Sequence, residues 1–294
     1  MNVGVIGLGA MGHGMAASLR RKAFALRVFD VRADAVKSFI AEGGTGCSSP
    51  AELAAACDVV ISVVVNAAQT ESVLFGEDGA AAAMHPGSVF VMCSTVDPDW
   101  SIALEARLEK LGIHYLDAPI SGGAAKAASG EMTMMTSGRA AAYEKCAPLL
   151  DAMAARVYRL GDRAGAGSKV KIINQLLAGV HIAAAAEAMA LGLRQGVDAK
   201  ALYDVITHSA GNSWMFENRM AHVLSGDYTP LSAVDIFVKD LGLVLDSAHA
   251  ARFPLPLAAT AHQMFLQASA AGYGSEDDAA VIKIFPGIEL PAKP

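Results

Sequence analysis

Over the first 160 or so residues, short apolar runs alternate with amphipathic ones. NVGVIGL, LRVFD, DVVISVVV, SVFVMCST and IHYLDAPI are rich in Val and Ile and show no apolar/polar alternation, the pattern of strands buried on both faces. Between them AMGHGMAASLRRK, RADAVKSFIAE, PAELAAAC and PDWSIALEARLEKLG carry helical spacing. That rhythm predicts βαβ units, a parallel sheet and helices on both faces. EMTMMTSG and RVYRLG flank the helix AAYEKCAPLLDAMAA and are predicted to extend the same sheet.

After Gly167 the pattern changes. No strand is predicted, and segments 168–195, 198–209, 213–224, 232–250, 255–271 and 276–285 read as helices. The breaks hold Gly196, Gly211, Gly226, Pro230, Pro254, Pro256 and Gly274. The fold class is therefore α/β: a doubly wound domain over residues 1–163, then an all-α domain over 164–294 that begins with a long linking helix, 168–195. At 1.5 Å per residue that helix runs about 42 Å, long enough to serve both domains. No internal repeat at a fixed period is visible.

The 294 residues are 53% hydrophobic and only 18% charged, so a large core is expected and disorder is not. A net charge of −6 with no basic stripe argues against a nucleic-acid partner. The mean hydropathy of +0.38 raises the question of a membrane. The most apolar stretch, Leu176 to Leu193, is broken by His181 and Glu187 and reads as a core helix, so no membrane partner is expected. No charged leader precedes NVGVIGL. Cys47, Cys57, Cys93 and Cys146 lack metal spacing and sit among small apolar residues, which predicts reduced core thiols, no metal and a cytoplasmic protein.

GLGAMGHGM, residues 7–15, follows a strand and opens a helix. Gly7, Gly9 and Gly12 have G-x-G-x-x-G spacing: a tight turn, room for a pyrophosphate, and close helix packing. Leu8, Ala10 and Met11 complete the loop, whose N–H groups face the phosphates from the helix N-terminus. Asp30 ends the second strand, where a carboxylate takes the ribose hydroxyls of NAD and repels the extra phosphate of NADP. Arg32, two residues on, partly offsets that repulsion, so the prediction is a Rossmann domain for NAD, with NADP tolerated. Further cofactor contacts are expected from the loops at Val65-Asn66 and at Thr95, which also suits a helix cap.

Ser121, Gly122 and Gly123 in DAPISGG offer a hydroxyl and two unhindered N–H groups, either a carboxylate-holding turn or an ordinary glycine turn. Lys171, Asn174 and Gln175 share one face of the long helix, while Lys169 points elsewhere, to solvent. A lysine on a buried face either snorkels to water or has a task. As a general base, Lys171 would have its pKa drawn down from about 10.4 by burial and by nearby positive charge, with Lys239 as one source. It would take a hydroxyl proton as hydride leaves the carbinol carbon, with Asn174 holding the hydroxyl. His13, His181, His208 and His249 read as structural. Glu276, Asp277 and Asp278 read as a helix cap, and Phe237 as pocket wall or core.

GLGAMGHGM, DAPISGG, GAGSKVKIINQ and the VKDL segment together resemble the β-hydroxyacid dehydrogenase family, which includes 3-hydroxyisobutyrate dehydrogenase and tartronate semialdehyde reductase. The resemblance covers essentially the whole chain. It implies Lys171 as acid/base, Asn174 and the Ser121 loop on the substrate, Lys239 beside nicotinamide and substrate, and a homodimer or homotetramer formed through the helical domain. VVNAAQ (64–69), GNSWMFENRM (211–220), YTPLSAVDIFVKDLG (228–242) and GYGSEDDAAVIKIF (272–285) resemble a narrower branch that oxidises a four-carbon sugar acid at C2 with NAD⁺. Asn212, Ser213 and Trp214 would then form a pocket for the extra hydroxyls, packing being the other reading of Trp214. The alternatives are a reductase of a short aldehyde acid and, outside enzymes, a dinucleotide-sensing module, which would be expected to lack Lys171.

Overall fold

A computed structural model describes residues 1–293. The chain divides into two compact units, Met1–Lys171 and Ile172–Pro294.

In the first unit, β1 (Asn2–Ile6), β2 (Ala25–Phe29), β3 (Thr45–Gly46), β4 (Val59–Ser62), β5 (Val89–Met92) and β6 (His114–Asp117) form a parallel sheet in the order β3-β2-β1-β4-β5-β6. The order reverses beside β1, and open α/β sheets bind ligands beyond the strand ends at such a point. The unbroken apolar runs are explained by packing on both faces. Val3, Val5, Val59, Ile61, Val89 and Val91 enter one core cluster, whereas Ile6, Val60, Phe90 and Met92 enter the other. Helices α1 (Ala10–Arg21), α2 (Ala33–Ala41), α3 (Pro50–Ala55), α4 (Ala67–Phe75), α5 (Pro98–Glu109), α6 (Gly123–Ser129) and α7 (Ala140–Met153) complete the unit. The apolar pattern did not predict α4. It starts because Asn66 accepts the Gln69 N–H at 2.8 Å, a local cap rather than a periodicity.

EMTMMTSG and RVYRLG do form strands, β8 (Met132–Gly138) and β9 (Ala154–Arg159), the latter paired to β8 in parallel. However, β8 runs antiparallel to β6 and to the short β7 (Ile120–Ser121), so the extension is mixed rather than parallel. Gly122 and Gly123, at φ +131° and +75°, turn the chain after β7. The seven-residue α6 then packs on α1 instead of forming a long crossover.

Helix α8 (Ala166–Arg194) carries the chain out of the first unit, the division falling after Lys171. It is long and apolar enough to cross a membrane by length and composition. Ala178, Ile182, Ala186 and Met189 nevertheless lie in the core of the second unit, as a core helix requires. α9 (Ala199–Thr207), α10 (Trp214–Ser225), α11 (Val234–Ala250) and α12 (Pro256–Ala268) follow. Gly179 lets α11 approach α8, since a Cβ there would lie 2.9 Å from the Leu241 side chain. Two predicted helices differ in detail. The fifth changes to a π-helical turn over Ser269–Tyr273, where Gly272 takes φ +94°, and the last is a 3-10 helix, Asp278–Ile284.

The acidic run also does more than cap. Asp277 accepts the Ala279 N–H, but Asp278 is fully buried and binds Arg219 at 2.5 and 3.1 Å. Burial raises its carboxyl to about 6 even against that guanidinium. Glu276 pairs with Lys283. For Asp278 a tertiary pairing with Arg219, invisible along the chain, is added to the cap that Asp277 provides.

Candidate active site

The glycine loop is built by steric necessity. Gly7 sits at φ +93°, and a Cβ there would lie 2.5 Å from the Val63 carbonyl oxygen. A Cβ on Gly12 would lie 1.9 Å from the Gly7 oxygen, so α1 starts against its own loop. Gly9 differs: a Cβ would meet nothing within 4 Å. The loop therefore leaves room above Gly9, where α1 begins and its N–H groups are unpaired within the helix.

Asp30 is held in place beside this room. Its Oδ2 accepts the Leu8 N–H at 2.6 Å, and its Oδ1 accepts the Arg32 N–H at 2.8 Å and Nε–H at 3.2 Å. Burial pushes its carboxyl up, but the hydrogen bonds from Arg32 and Leu8 outweigh that, leaving it below the usual range. The Arg32 guanidinium also donates to the Leu8 carbonyl at 3.2 Å. Leu8 serves through its backbone, its side chain lying in the core. Gly7, Gly9, Asp30, Arg32, Val65 and Gln69 line one cavity of about 390 Å³. A glycine-walled cradle with a fixed carboxylate at its rim fits a dinucleotide. Ala10 and Met11 form the first turn of α1, and Asn66 caps α4. Val65 donates its N–H to Gln69 Oε1 at 2.8 Å. Thr95 is not the helix cap: Asp97 is, accepting the Asp99 and Trp100 N–H groups.

Lys171 is 7% exposed, so it does not snorkel. Its Nζ donates to the Ile120 carbonyl at 2.8 Å, one residue before Ser121. The lysine and the Ser121–Gly123 turn thus belong to one local structure. Lys169 is exposed, as its helix position predicts.

A second polar chain lies in the helical unit. Asn174 Nδ2 donates to Gln175 Oε1 at 3.0 Å, and Gln175 Nε2 donates to Asp240 Oδ2 at 2.5 Å. Asp240 Oδ1 takes the Lys239 ammonium at 2.6 Å. Asn174 and Lys239 are therefore tied together through Gln175 and Asp240. Asp240 was not among the predicted site residues. The only signal was an acid beside Lys239 in VKDL, and its 2% exposure appears only on folding. Asn212 donates to the Thr207 carbonyl at 3.1 Å, while its buried Oδ1 has no hydrogen-bond partner. Ser213 caps α10, and Trp214 is 54% exposed. Phe237 belongs to the core, stacked on Phe265 at 5.2 Å. His13 pairs with Glu42 at 2.8 Å, and His208 contacts the Asp204 carbonyl. No metal-binding cluster of His, Cys, Asp or Glu occurs among the described residues, and the four cysteines are buried thiols.

Residues 2–161 match the NAD binding domain of 6-phosphogluconate dehydrogenase. Residues 165–285 match the NAD-binding region of NADP-dependent 3-hydroxyisobutyrate dehydrogenase. L-threonate dehydrogenase of Cupriavidus necator is 68% identical over 99% of this chain and 98% of that one. L-threonate dehydrogenase of Escherichia coli K12 is 54% identical over 99% and 96%. A crystal structure of 3-hydroxyisobutyrate dehydrogenase from Salmonella typhimurium has a TM-score of 0.93 and 57% identity, over 97% of this chain and 100% of that one. The glycine cradle, the lysine-bearing helix and these full-length matches lead to one conclusion: the chain belongs to the β-hydroxyacid dehydrogenase family and is an NAD-dependent dehydrogenase acting on CH–OH.

Proposed function

We propose that the substrate is L-threonate, oxidised at C2 to the 2-oxo acid, in catabolism of four-carbon sugar acids. The substrate reading rests on the two L-threonate dehydrogenases named above. The observation that carries the mechanism is the buried Lys171 amine, set on the Ile120 carbonyl beside Ser121.

Bound NAD⁺ supplies the hydride acceptor. Lys171 accepts the C2 hydroxyl proton. The hydrogen bond from its Nζ to the fixed Ile120 carbonyl aims the buried amine at the turn that carries Ser121. Ser121, Gly122 and Gly123 hold the carboxylate, and Asn174 orients the hydroxyl through its anchorage on Gln175. Lys239 adds positive charge toward substrate and cofactor, positioned by Asp240. Asn212, with an acceptor to satisfy, and Trp214 take the remaining hydroxyls. Gly7, Leu8, Gly9, Ala10, Met11 and Gly12 cradle the pyrophosphate. Asp30 takes the adenosine ribose, Arg32 allows NADP to be tolerated, and Val65, Asn66 and Thr95 complete the cofactor contacts.

The protein acts as a cytoplasmic homodimer or homotetramer. Support for self-association is the face of α8 on which Ile173, Leu177 and Leu191 are 60%, 51% and 58% exposed. The 57% identity to a 3-hydroxyisobutyrate dehydrogenase favours a second reading, a short 3-hydroxy acid. Steady-state kinetics on L-threonate, D-threonate, erythronate, glycerate and 3-hydroxyisobutyrate separates the two. The expectation is a clear kcat/KM preference for L-threonate, and equal or better turnover of 3-hydroxyisobutyrate would refute it. Lys171→Ala should lose at least about 10³-fold in kcat while NADH binding, read by fluorescence, survives.

A further inference from the structure

We propose that Asp117 is a positioning residue for Lys171, fixing the first turn of α8 and with it the direction of the amine. The inference rests on the reading of Lys171 as the base.

Asp117 ends β6 and is fully buried. Its Oδ2 accepts the Gly165 N–H at 2.9 Å, the Ser168 N–H at 2.9 Å and the Ser137 hydroxyl at 3.0 Å. Its Oδ1 accepts the Ser168 hydroxyl at 2.7 Å. Two of those donors are backbone groups of the turn that opens α8, so a carboxylate from a distant strand does the work of a helix cap. Gly167 tightens the seat: its N–H reaches Ser137 Oγ at 2.9 Å, and a Cβ there would lie 2.5 Å from the Met135 oxygen. Ser168 lies three residues before Lys171, and Ile120, which receives Nζ, lies three residues after Asp117. Both ends of the lysine are therefore referred to one short segment. A one-residue slip of α8 would move the lysine Cα by about 1.5 Å and turn it by about 100°, enough to remove the amine from its acceptor.

Two features argue for more than packing. Burial raises the carboxyl of Asp117 despite its hydrogen bonds, so the site retains an acid that burial disfavours. Its negative charge, when present, also faces the positive end of α8. Glu105 and Arg163 flank the same end but pair with each other at 2.8 Å, and the Tyr115 phenol, pushed well up by burial, stays neutral.

The test is Asp117→Asn, Ser168→Ala and Lys171→Ala in the full chain, with kcat, KM for NAD and for L-threonate, the pH profile of kcat/KM, NADH affinity and Tm. Asp117→Asn should lose about 10²-fold in kcat, the effect of misplacing a reacting group by roughly 1 Å. Its KM for NAD and its NADH affinity should stay within about twofold. Its acid limb should move to lower pH, because removing a negative charge near an amine favours the neutral form. Ser168→Ala, which removes one of the four bonds, should show a smaller loss in the same direction and decides the matter if Asp117→Asn does not fold. A lowered Tm with unchanged kcat per folded molecule and an unmoved limb would overturn the proposal. If Lys171→Ala is inactive in that case, the base reading stands alone. An active Lys171→Ala enzyme would remove both.

Discussion

The cofactor cradle and the polar chain of the helical unit are made of different material. The cradle is backbone: Gly7 and Gly12 are required by contacts of 2.5 and 1.9 Å, and only Asp30 and Arg32 contribute charged groups. The polar chain is side chain throughout, Asn174 to Gln175 to Asp240 to Lys239, closed between residues 65 apart in sequence. A backbone site tolerates variation everywhere except where a methyl group will not fit. A side-chain site depends on every link, because removing one partner leaves a buried polar group uncompensated.

The largest test of that contrast is a pair of alanines. Gly12→Ala should destabilise the fold by about 1–3 kcal/mol, since backbone cannot yield to the new Cβ, and should abolish NADH binding. Gly9→Ala meets open space, so Tm should hold while NADH affinity falls by roughly tenfold, about 1.4 kcal/mol. Equal Tm losses in calorimetry would erase the distinction. Next in size is Asp240→Asn, which leaves Lys239 facing an amide and weakens the seat of Gln175. It should lower kcat/KM for L-threonate by about tenfold or more with NADH binding intact. A loss confined to cofactor affinity would place the chain on the other side of the reaction. The smallest effect concerns pH. His222 Nδ1 lies 3.0 Å from the Asp277 carboxylate, and that neighbour raises its pKa above the usual 6.5 despite burial. A raised folded-state value means its stabilisation is complete below about pH 6.5 and is lost as pH rises through the folded value. Tm should therefore fall over that window in the wild type and flatten in His222→Gln.

The same contrast explains what could be read from the chain. G-x-G-x-x-G spacing encodes a local steric need, so the tight turn at Gly7 and the close approach at Gly12 were legible without a structure. The long helices announced themselves through apolar period and glycine or proline stops. α4 did not, because a single asparagine starts a short helix whose burial lacks a clean period. Thr95 looked like a cap because hydroxyls cap helices, yet Asp97 lay two residues nearer the first turn. The direction of β8 depended on how the chain left Gly123, a matter of two positive-φ residues rather than of strand character. Asp117, Gln175 and Asp240 acquire their partners only when residues 20 to 65 positions away arrive, and no spacing rule reports that.

The guanidinium of Arg32 lies across Asp30 and against the Leu8 carbonyl. A cation suited to a ribose phosphate is thus already installed in this enzyme, masked by one neighbouring carboxylate. If Asp30 and Arg32 meet the adenosine ribose as proposed, coenzyme choice is a local competition that a single codon change at position 30 would tilt, without rebuilding the loop.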